Sequence, residues 1–375
     1  MRILAVIVGI LLIAFSAQDG FETIVLPRRV SRKFRLARMF YTYVWMVWSA
    51  LARKMRAGNR RELYLSFFGP LSLILLLAIW AGMFIMGFAL LQWGLQSSMH
   101  APETALTFGS YIYFSGTTFI TLGLGDITPV DSMARVLVVL EAGLGFAFLA
   151  LIIGYVPVIY QAFSRREIKI TLLDARAGSP PTAAEFLRRH SHASFPNELL
   201  NFLREWESWS AELLESHLSY HVLTYYRSQH ERQSWLGALA VVLDTCALIM
   251  VGVEGVPIKP ARFTFAIARH AAVDLAQTYG VSPVDKKSRL SPADFALLKA
   301  TLAESGITIK DGPLAEKKLT EIRAMYEPFL NSLSDHLLMP LPPWVTIGEH
   351  VDDWQTSAWD HILAATPKML DRPSD

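Results

Sequence analysis

Hydrophobic and polar positions divide the chain into two unlike halves. From residue 63 to 101 there is no charge, counting His100 as neutral, and residues 63–93 suffice for a tilted membrane-spanning helix, which needs about 20 apolar residues. A second run, residues 136–163, is broken only by Glu141. At about 1.5 Å per residue it exceeds the thickness of a bilayer core. A shorter run, residues 3–15, opens the chain ahead of Ser16-Ala17-Gln18-Asp19. Arg2, the apolar stretch and Ala14-Phe15-Ser16-Ala17 suit a signal peptide. An uncleaved membrane anchor is the preferred reading, because basic flanks hold the next segment on the inner side. Residues 39–52 are apolar and aromatic between basic ends, and as a helix they span about 21 Å. That is short for a crossing, and Tyr41, Tyr43, Trp45 and Trp48 suit headgroup depth, so a helix lying on the inner surface is predicted. A third crossing is the alternative.

Beyond residue 166 charges are scattered and helices are short. Thr182 and Glu185 form a capping box after Pro180-Pro181. Ser291, Pro292 and Asp294 supply a cap, a first-turn proline and a first-turn acid. Leu199, Phe202, Leu203, Trp206, Trp209 and Leu213 repeat at helical spacing, and residues 261–279 and 314–338 are helical in pattern. Strand-like alternation is confined to residues 167–173 and 306–310. Residues 235–253 are nearly long enough to span, but Asp244 sits at their centre and Gly237 and Gly252 interrupt them. A buried core helix is predicted.

Composition agrees with this division. Hydrophobic residues make up 52% of the chain and charged residues 18%, which excludes a disordered or fully soluble protein. The single cysteine, Cys246, rules out an internal disulfide and a cysteine-based metal site. The net charge of +2 averages two different patterns. Residues 28–61 hold eleven Lys or Arg and no acid, whereas residues 94–131 hold no Lys or Arg and carry Glu103, Asp126 and Asp131. The positive-inside rule puts the first segment in the cytoplasm and the second outside. Arg165-Arg166 closes the second long helix on the inside again.

The candidate chemistry lies between the two long helices. Residues 108–119 are long enough for about three helical turns behind Thr107 as N-cap, and too short to span. Thr121-Leu122-Gly123-Leu124-Gly125-Asp126 comes next, then Pro129. Alternating glycines permit backbone conformations that point successive carbonyls the same way. Carbonyl oxygens in a row replace the hydration shell of a cation. Such backbone is tolerated at membrane depth only where it lines a water-filled path.

This stretch resembles the pore loop and selectivity filter of potassium channels, whose usual form is Thr-x-Thr-Thr-Val-Gly-Tyr-Gly-Asp. Thr118, Thr121, Gly123, Gly125 and Asp126 match, with Leu122 for valine and Leu124 for tyrosine. The resemblance covers residues 62–165 in helix–pore–helix order. It implies that the backbone of Thr121, Leu122, Gly123, Leu124 and Gly125 forms the ion sites and that the Thr121 hydroxyl completes the innermost one. It also implies that Asp126 anchors the outer end of the filter, and that the short helix aims its negative end at a central cavity. Two departures stand out. Leu124 has no hydroxyl to tie the filter to the aromatic cuff of Tyr113 and Phe114, and Ile120 replaces the first of the paired threonines. Leucine at the tyrosine position resembles some filters of two-pore-domain potassium channels. A potassium preference is the leading expectation, and a weakly selective cation pore its rival.

On the second helix, Gly145 resembles the family's hinge glycine, and Pro157 in Val156-Pro157-Val158 resembles the proline bend near the inner mouth. Small residues that merely allow close packing are the alternative for Gly145. Glu141 is an acid at membrane depth that needs a partner. Thr117 or Thr118 behind the filter is one expectation, and a position high enough to be solvated is the other. No repeated basic run lies within a membrane helix, so no voltage sensor is read.

In the second half, His217 and His221 are spaced for one helical face, with Glu215 and His230-Glu231 nearby, a set able to hold a divalent metal. This cluster and Asp244 are the whole support for an enzymatic or metal-binding domain. No G-x-G-x-x-G follows a strand, so a nucleotide-binding regulatory domain is not supported.

The expectation is a membrane α-helical chain. An N-terminal membrane helix (1–27) precedes a basic amphipathic segment (28–61), a two-transmembrane-plus-pore-loop module (62–166) and a helical cytoplasmic domain (167–375). Function is expected to be passive potassium conduction in the cell membrane, not catalysis. Four copies are needed, because one filter per chain cannot enclose a pore. The expected partners are the chain itself, the lipid bilayer and an unidentified cytoplasmic regulator. K+ is the permeant ion, and no organic cofactor or nucleic acid is called for.

Overall fold

A computed structural model describes residues 1–26, 35–101, 106–191, 195–230, 232–284 and 288–346. Arg28, Arg29, Arg32 and Lys33 of the basic segment, with Glu103 and Glu231, lie outside these residues. The chain forms two compact units: Met1–Ala162 with Ser219–Tyr226, and Phe163–Leu218 with Arg227–Asp375.

The first unit begins with α1 (Arg2–Gly20), which continues as a π-helical turn to Val25. Two helices come next, α2 (Leu36–Lys54) and α3 (Asn59–Ser66). After Phe67 comes α4 (Phe68–Gly94). α1 packs antiparallel on α4, and glycines set the distance. A Cβ on Gly9 would lie 2.6 Å from the Gly87 carbonyl oxygen, and one on Gly94 would lie 2.9 Å from that of Arg2. Small residues at such seams let helix backbones approach closely in lipid.

The lower end of α1 is fixed by a buried acid. Asp19 accepts hydrogen bonds from the backbone N–H groups of Leu36 (2.9 Å) and Ala37 (3.1 Å) and from the Trp80 indole (3.0 Å). It thus caps the N-terminus of α2 from another helix while gripping α4, a favourable place for a negative charge.

α2 buries Ala37, Phe40, Tyr41, Trp45, Ser49 and Ala52 on one side. Trp45 meets Phe68 at 4.8 Å and Tyr225 at 4.9 Å between ring centroids. The 3₁₀ turn His221–Tyr225 therefore belongs with this unit and not with the helical domain in which the sequence placed it. The close contact of Tyr226 with Gly69 shows why: a Cβ there would meet the ring at 2.6 Å.

Among the described residues four helical stretches are long and apolar enough to cross a membrane: Arg2–Val25, Asn59–Gly94, Ser132–Ala177 and Trp235–Gly252. α2 is not among them. The last differs in kind. Its apolar window is 94% buried within the protein, against 17–44% for the other three. It is α9, the core of the second unit.

The second unit takes in the end of α6 (Ser132–Ala177), then α7 (Ala183–Arg189), α8 (Phe195–Ser219), α9 (Trp235–Gly252), α10 (Ile258–Thr278), α11 (Pro292–Glu304), α12 (Pro313–Ala324) and α13 (Glu327–Leu337). Residues 167–173, read as a candidate strand, are helix. Phe163, Ile170, Leu173 and Ala177 are buried at helical spacing, and that period outweighs the local alternation. Residues 306–310 supply one bridge, Val253 to Ile309. The helix expected over 314–338 is two, parted at Met325-Tyr326, where Pro328 suits a new first turn. Ser291 and Asp294 bond reciprocally, whereas of the capping box predicted at Thr182 only half forms: the Thr182 hydroxyl accepts from the Glu185 N–H, but the Glu185 carboxylate is taken by Arg188 and Arg189. The Ser291 hydroxyl holds the Asp294 carboxyl below the usual carboxylate range.

α9 carries one acid into this core. Asp244 receives both Nη atoms of Arg289 (2.8 and 2.9 Å) and the Tyr326 hydroxyl (2.6 Å). Glu327 pairs in turn with Arg289 (3.1 Å) and Arg323 (2.7 Å). Removing one partner strands a buried charge. Asp244→Ala is therefore expected to cost about 3–5 kcal/mol of stability, and Tyr326→Phe about 1.5–3 kcal/mol. Denaturant unfolding of the full chain in detergent measures both.

Candidate functional site

The site is built on α5 (Phe108–Phe119), which starts where the sequence predicted. Thr107 caps it, and its N–H bonds the Ser110 hydroxyl at 3.2 Å. At about 1.5 Å per residue α5 reaches about 18 Å and stops well short of a crossing. Its aromatic side holds it in place. Phe119 stacks near Phe84 (5.5 Å) and Phe148 (5.8 Å), Phe114 is buried, and the Tyr111 hydroxyl donates to the Ser97 carbonyl at 3.2 Å.

After α5 the chain turns back sharply. Thr121, Gly123 and Gly125 have φ of +59°, +54° and +79°. The left-handed conformation thus recurs at every second residue. Thr121 adopts it without being glycine, at a cost of roughly 1–2 kcal/mol.

The N–H groups of the first three loop residues are used by the end of α5. Thr121 N–H donates to the Thr118 carbonyl (3.0 Å), and Leu122 and Gly123 N–H both donate to that of Thr117 (2.8 and 3.1 Å). Among the described residues, no backbone N–H donates to a carbonyl of residues 121–125. Donors are consumed and acceptors are left over. The stretch is exposed in the single chain, Leu122 and Leu124 at 56% and 60%.

The far end of the loop is tied down twice. The Tyr113 hydroxyl donates to Asp126 at 2.8 Å. Tyr113 thus bonds the acid that follows the loop. Asp131 accepts from the Ala134 N–H (2.8 Å) and the Ser98 N–H (2.7 Å), joining the N-terminus of α6 to the strand pair β1 (Met99–His100) and β2 (Thr128–Pro129). Those backbone donors, Ala134 first, hold the Asp131 carboxyl below the usual range. Because the folded value is lowered, this tie is present above the ordinary carboxylate value and is lost as pH falls through the lowered one.

Glu141 is fully buried, and its partner differs from the expected one. Its Oε1 bonds the Ser115 hydroxyl, which also lies 2.8 Å from the Ile85 carbonyl oxygen. Ser115 therefore joins α4, α5 and α6. Thr117 instead turns its hydroxyl to the Phe114 carbonyl of its own helix (3.0 Å), and Thr118 contributes the carbonyl that holds Thr121. Sequence reasoning misses Ser115, whose only signal is a small hydroxyl in an aromatic helix.

Gly145 is a contact position. A Cβ there would lie 1.9 Å from the Phe119 carbonyl oxygen, and α6 runs through Gly145 as helix. Pro157 likewise sits inside α6.

The histidine pair does not share a helical face, because α8 ends at Ser219 and His221 opens a 3₁₀ turn. His217 is buried, with Nδ1 2.8 Å from the Leu213 carbonyl and Nε2 3.2 Å from Arg166, so both ring nitrogens are engaged by protein. Among the described residues no three His, Cys, Asp or Glu side chains group as a metal would need.

A family described as ion channel matches residues 73–161. An uncharacterized membrane protein of Bacillus subtilis (strain 168), YdjJ, is 22% identical over 191 residues, 50% of this chain. The chain spans about half the length, 55%, of that curated relative. No solved structure matches. These findings support an ion channel domain within a membrane α-helical protein, and they point to a channel rather than an enzyme.

The Gly145 contact makes a stability prediction. Gly145→Ala must part α6 from the end of α5 and is expected to cost about 1–3 kcal/mol, as overpacking does. Gly82→Ala on α4, where a Cβ meets nothing within 4 Å, is expected to be neutral or mildly stabilising. Thermal unfolding in detergent separates the two.

Proposed function

We propose that the chain is a subunit of a homotetrameric channel that passes K+ down its gradient through a filter lined by the backbone of Thr121, Leu122, Gly123, Leu124 and Gly125. The observation that carries this reading is the loop after α5: left-handed φ at alternate residues, N–H groups bonded backward into α5, and carbonyl oxygens without backbone donors. A dehydrated cation is the partner such oxygens fit. The exposure of the stretch in a single chain agrees with a site completed by further copies about an axis.

In this reading Asp126 and Tyr113 brace the outer mouth, and Phe114, Thr118, Ser115 and Glu141 hold the pore helix from behind. The basic segment faces the cytoplasm, and the second unit lies on that side as the regulatory part. Leu124 at the tyrosine position favours one rival, a pore passing Na+ nearly as well as K+.

Reconstitution of the full chain in vesicles with an ion gradient tests both. Potassium flux is expected in the wild type. Gly123→Ala and Gly125→Ala are expected to abolish it, because each forces an L-residue into a left-handed conformation within the row. Comparable flux in either variant overturns the filter assignment. Equal Na+ and K+ flux in the wild type replaces the potassium channel by the less selective pore.

A further inference from the structure

A short piece from the second half of the chain is built into the first unit. Ser219–Tyr226 pack there, while Leu218 before them and Arg227 after them belong to the second unit. Their side chains reach three helices. Tyr225 is buried, with its ring 5.7 Å from Tyr41 and 4.9 Å from Trp45 on α2 and 5.0 Å from Phe68 on α4. Tyr226 takes the space left by Gly69 on α4. Tyr220 takes the third helix: its ring meets Tyr155 of α6 edge-on at 5.8 Å. Val222, Leu223 and Thr224 are buried between these anchors.

Tyr155 stands at a weak point of α6. Two residues on, Pro157 has no N–H, so the Ile153 carbonyl loses its helical donor and the helix resists bending less there. Tyr155, Ile159 and Ala162 are buried at helical spacing across this point. The turn that grips it has almost no slack. α8 ends at Ser219 and runs into the turn without a linker. On the other side Arg227, the next residue, is held by the carbonyls of Leu337 (2.5 Å) and Leu338 (3.1 Å).

We propose that Ser219–Tyr226 is a strap that fixes α6 at Pro157, with Tyr220 as the positioning residue, and that it passes rearrangements of the second unit to α6. The proposal rests on the reading of the second unit as the regulatory part. Docked, the strap holds Tyr155 through Tyr220 and is itself held to α2 and α4 through Tyr225 and Tyr226. Released, it leaves α6 free to bend at Pro157. Packed aromatic rings of this kind are either seated or not, which makes the strap a two-state element. Its short tethers bias the choice. They keep the strap at high effective concentration near its seat, so loosening the second unit favours release.

Hydrogen exchange of the full chain in detergent, read on peptides covering residues 150–162, tests both parts. Tyr220→Ala is expected to speed exchange there about tenfold. Tyr43→Ala, which removes an exposed ring from α2, is expected to leave it unchanged. Unchanged exchange in Tyr220→Ala overturns the strap. Transmission is tested with Tyr326→Phe, which weakens the core around Asp244, and α9 peptides report that loosening. This variant is expected to speed exchange over residues 150–162 about threefold. Tetraglycine inserts after Ser219 and after Tyr226 lengthen both tethers, and with them Tyr326→Phe is expected to leave residues 150–162 unchanged. An effect that survives the inserts travels along α6 itself and overturns the proposal, as does the lack of any effect without them. Neither readout uses flux, so failure here and failure of the channel reading are separately visible.

Discussion

Backbone polar groups at membrane depth have no water to turn to, and in the proposed reading that constraint organises the structure around residues 121–126. A helix solves it by bonding every N–H to its own carbonyls. The loop after α5 solves half of it. Its first N–H groups fold back onto Thr117 and Thr118, so no donor is stranded there, while its carbonyls are left without backbone donors. The surroundings serve this asymmetry. Tyr113 and Asp126 hold one end, Ser115 ties α5 to both flanking helices, and Gly145 admits the end of α5 into contact with α6. Rigid support matters because the left-handed residue at Thr121 is unfavourable and persists only where neighbours fix it.

Much of this was legible in the sequence because it is local. Thr107 predicts the start of α5 from a single residue type at one position. Alternating glycines predict alternating left-handed backbone, and the apolar runs predict α1, α4 and α6. The reading of α9 as a core helix also rested on local signals, a central acid and two glycines.

What could not be read are partnerships across long separations. Glu141 needed a partner, but nothing in the sequence distinguishes Ser115 from the threonines two and three residues on. Only the rotation of α5 decides that. The sequence places residues 219–226 in the helical domain, and their position beside Phe68 depends on Gly69 leaving room for a ring. The histidine pair failed for the opposite reason. A spacing of four implies a common face only while the helix lasts, and it ends between them.

Asp19 sets an order of assembly. Its three donors belong to residues 36, 37 and 80, all later in the chain. During synthesis α1 emerges with a carboxylate that has none of its ligands, and the indole among them arrives only with the middle of α4. Until then the acid has only water for a partner, so the final seating of α1 waits for α4. The glycine seam closes later still, because Gly87 and Gly94 lie beyond Trp80. A nascent chain halted before Trp80 would hold its first helix, among these contacts, by the start of α2 alone.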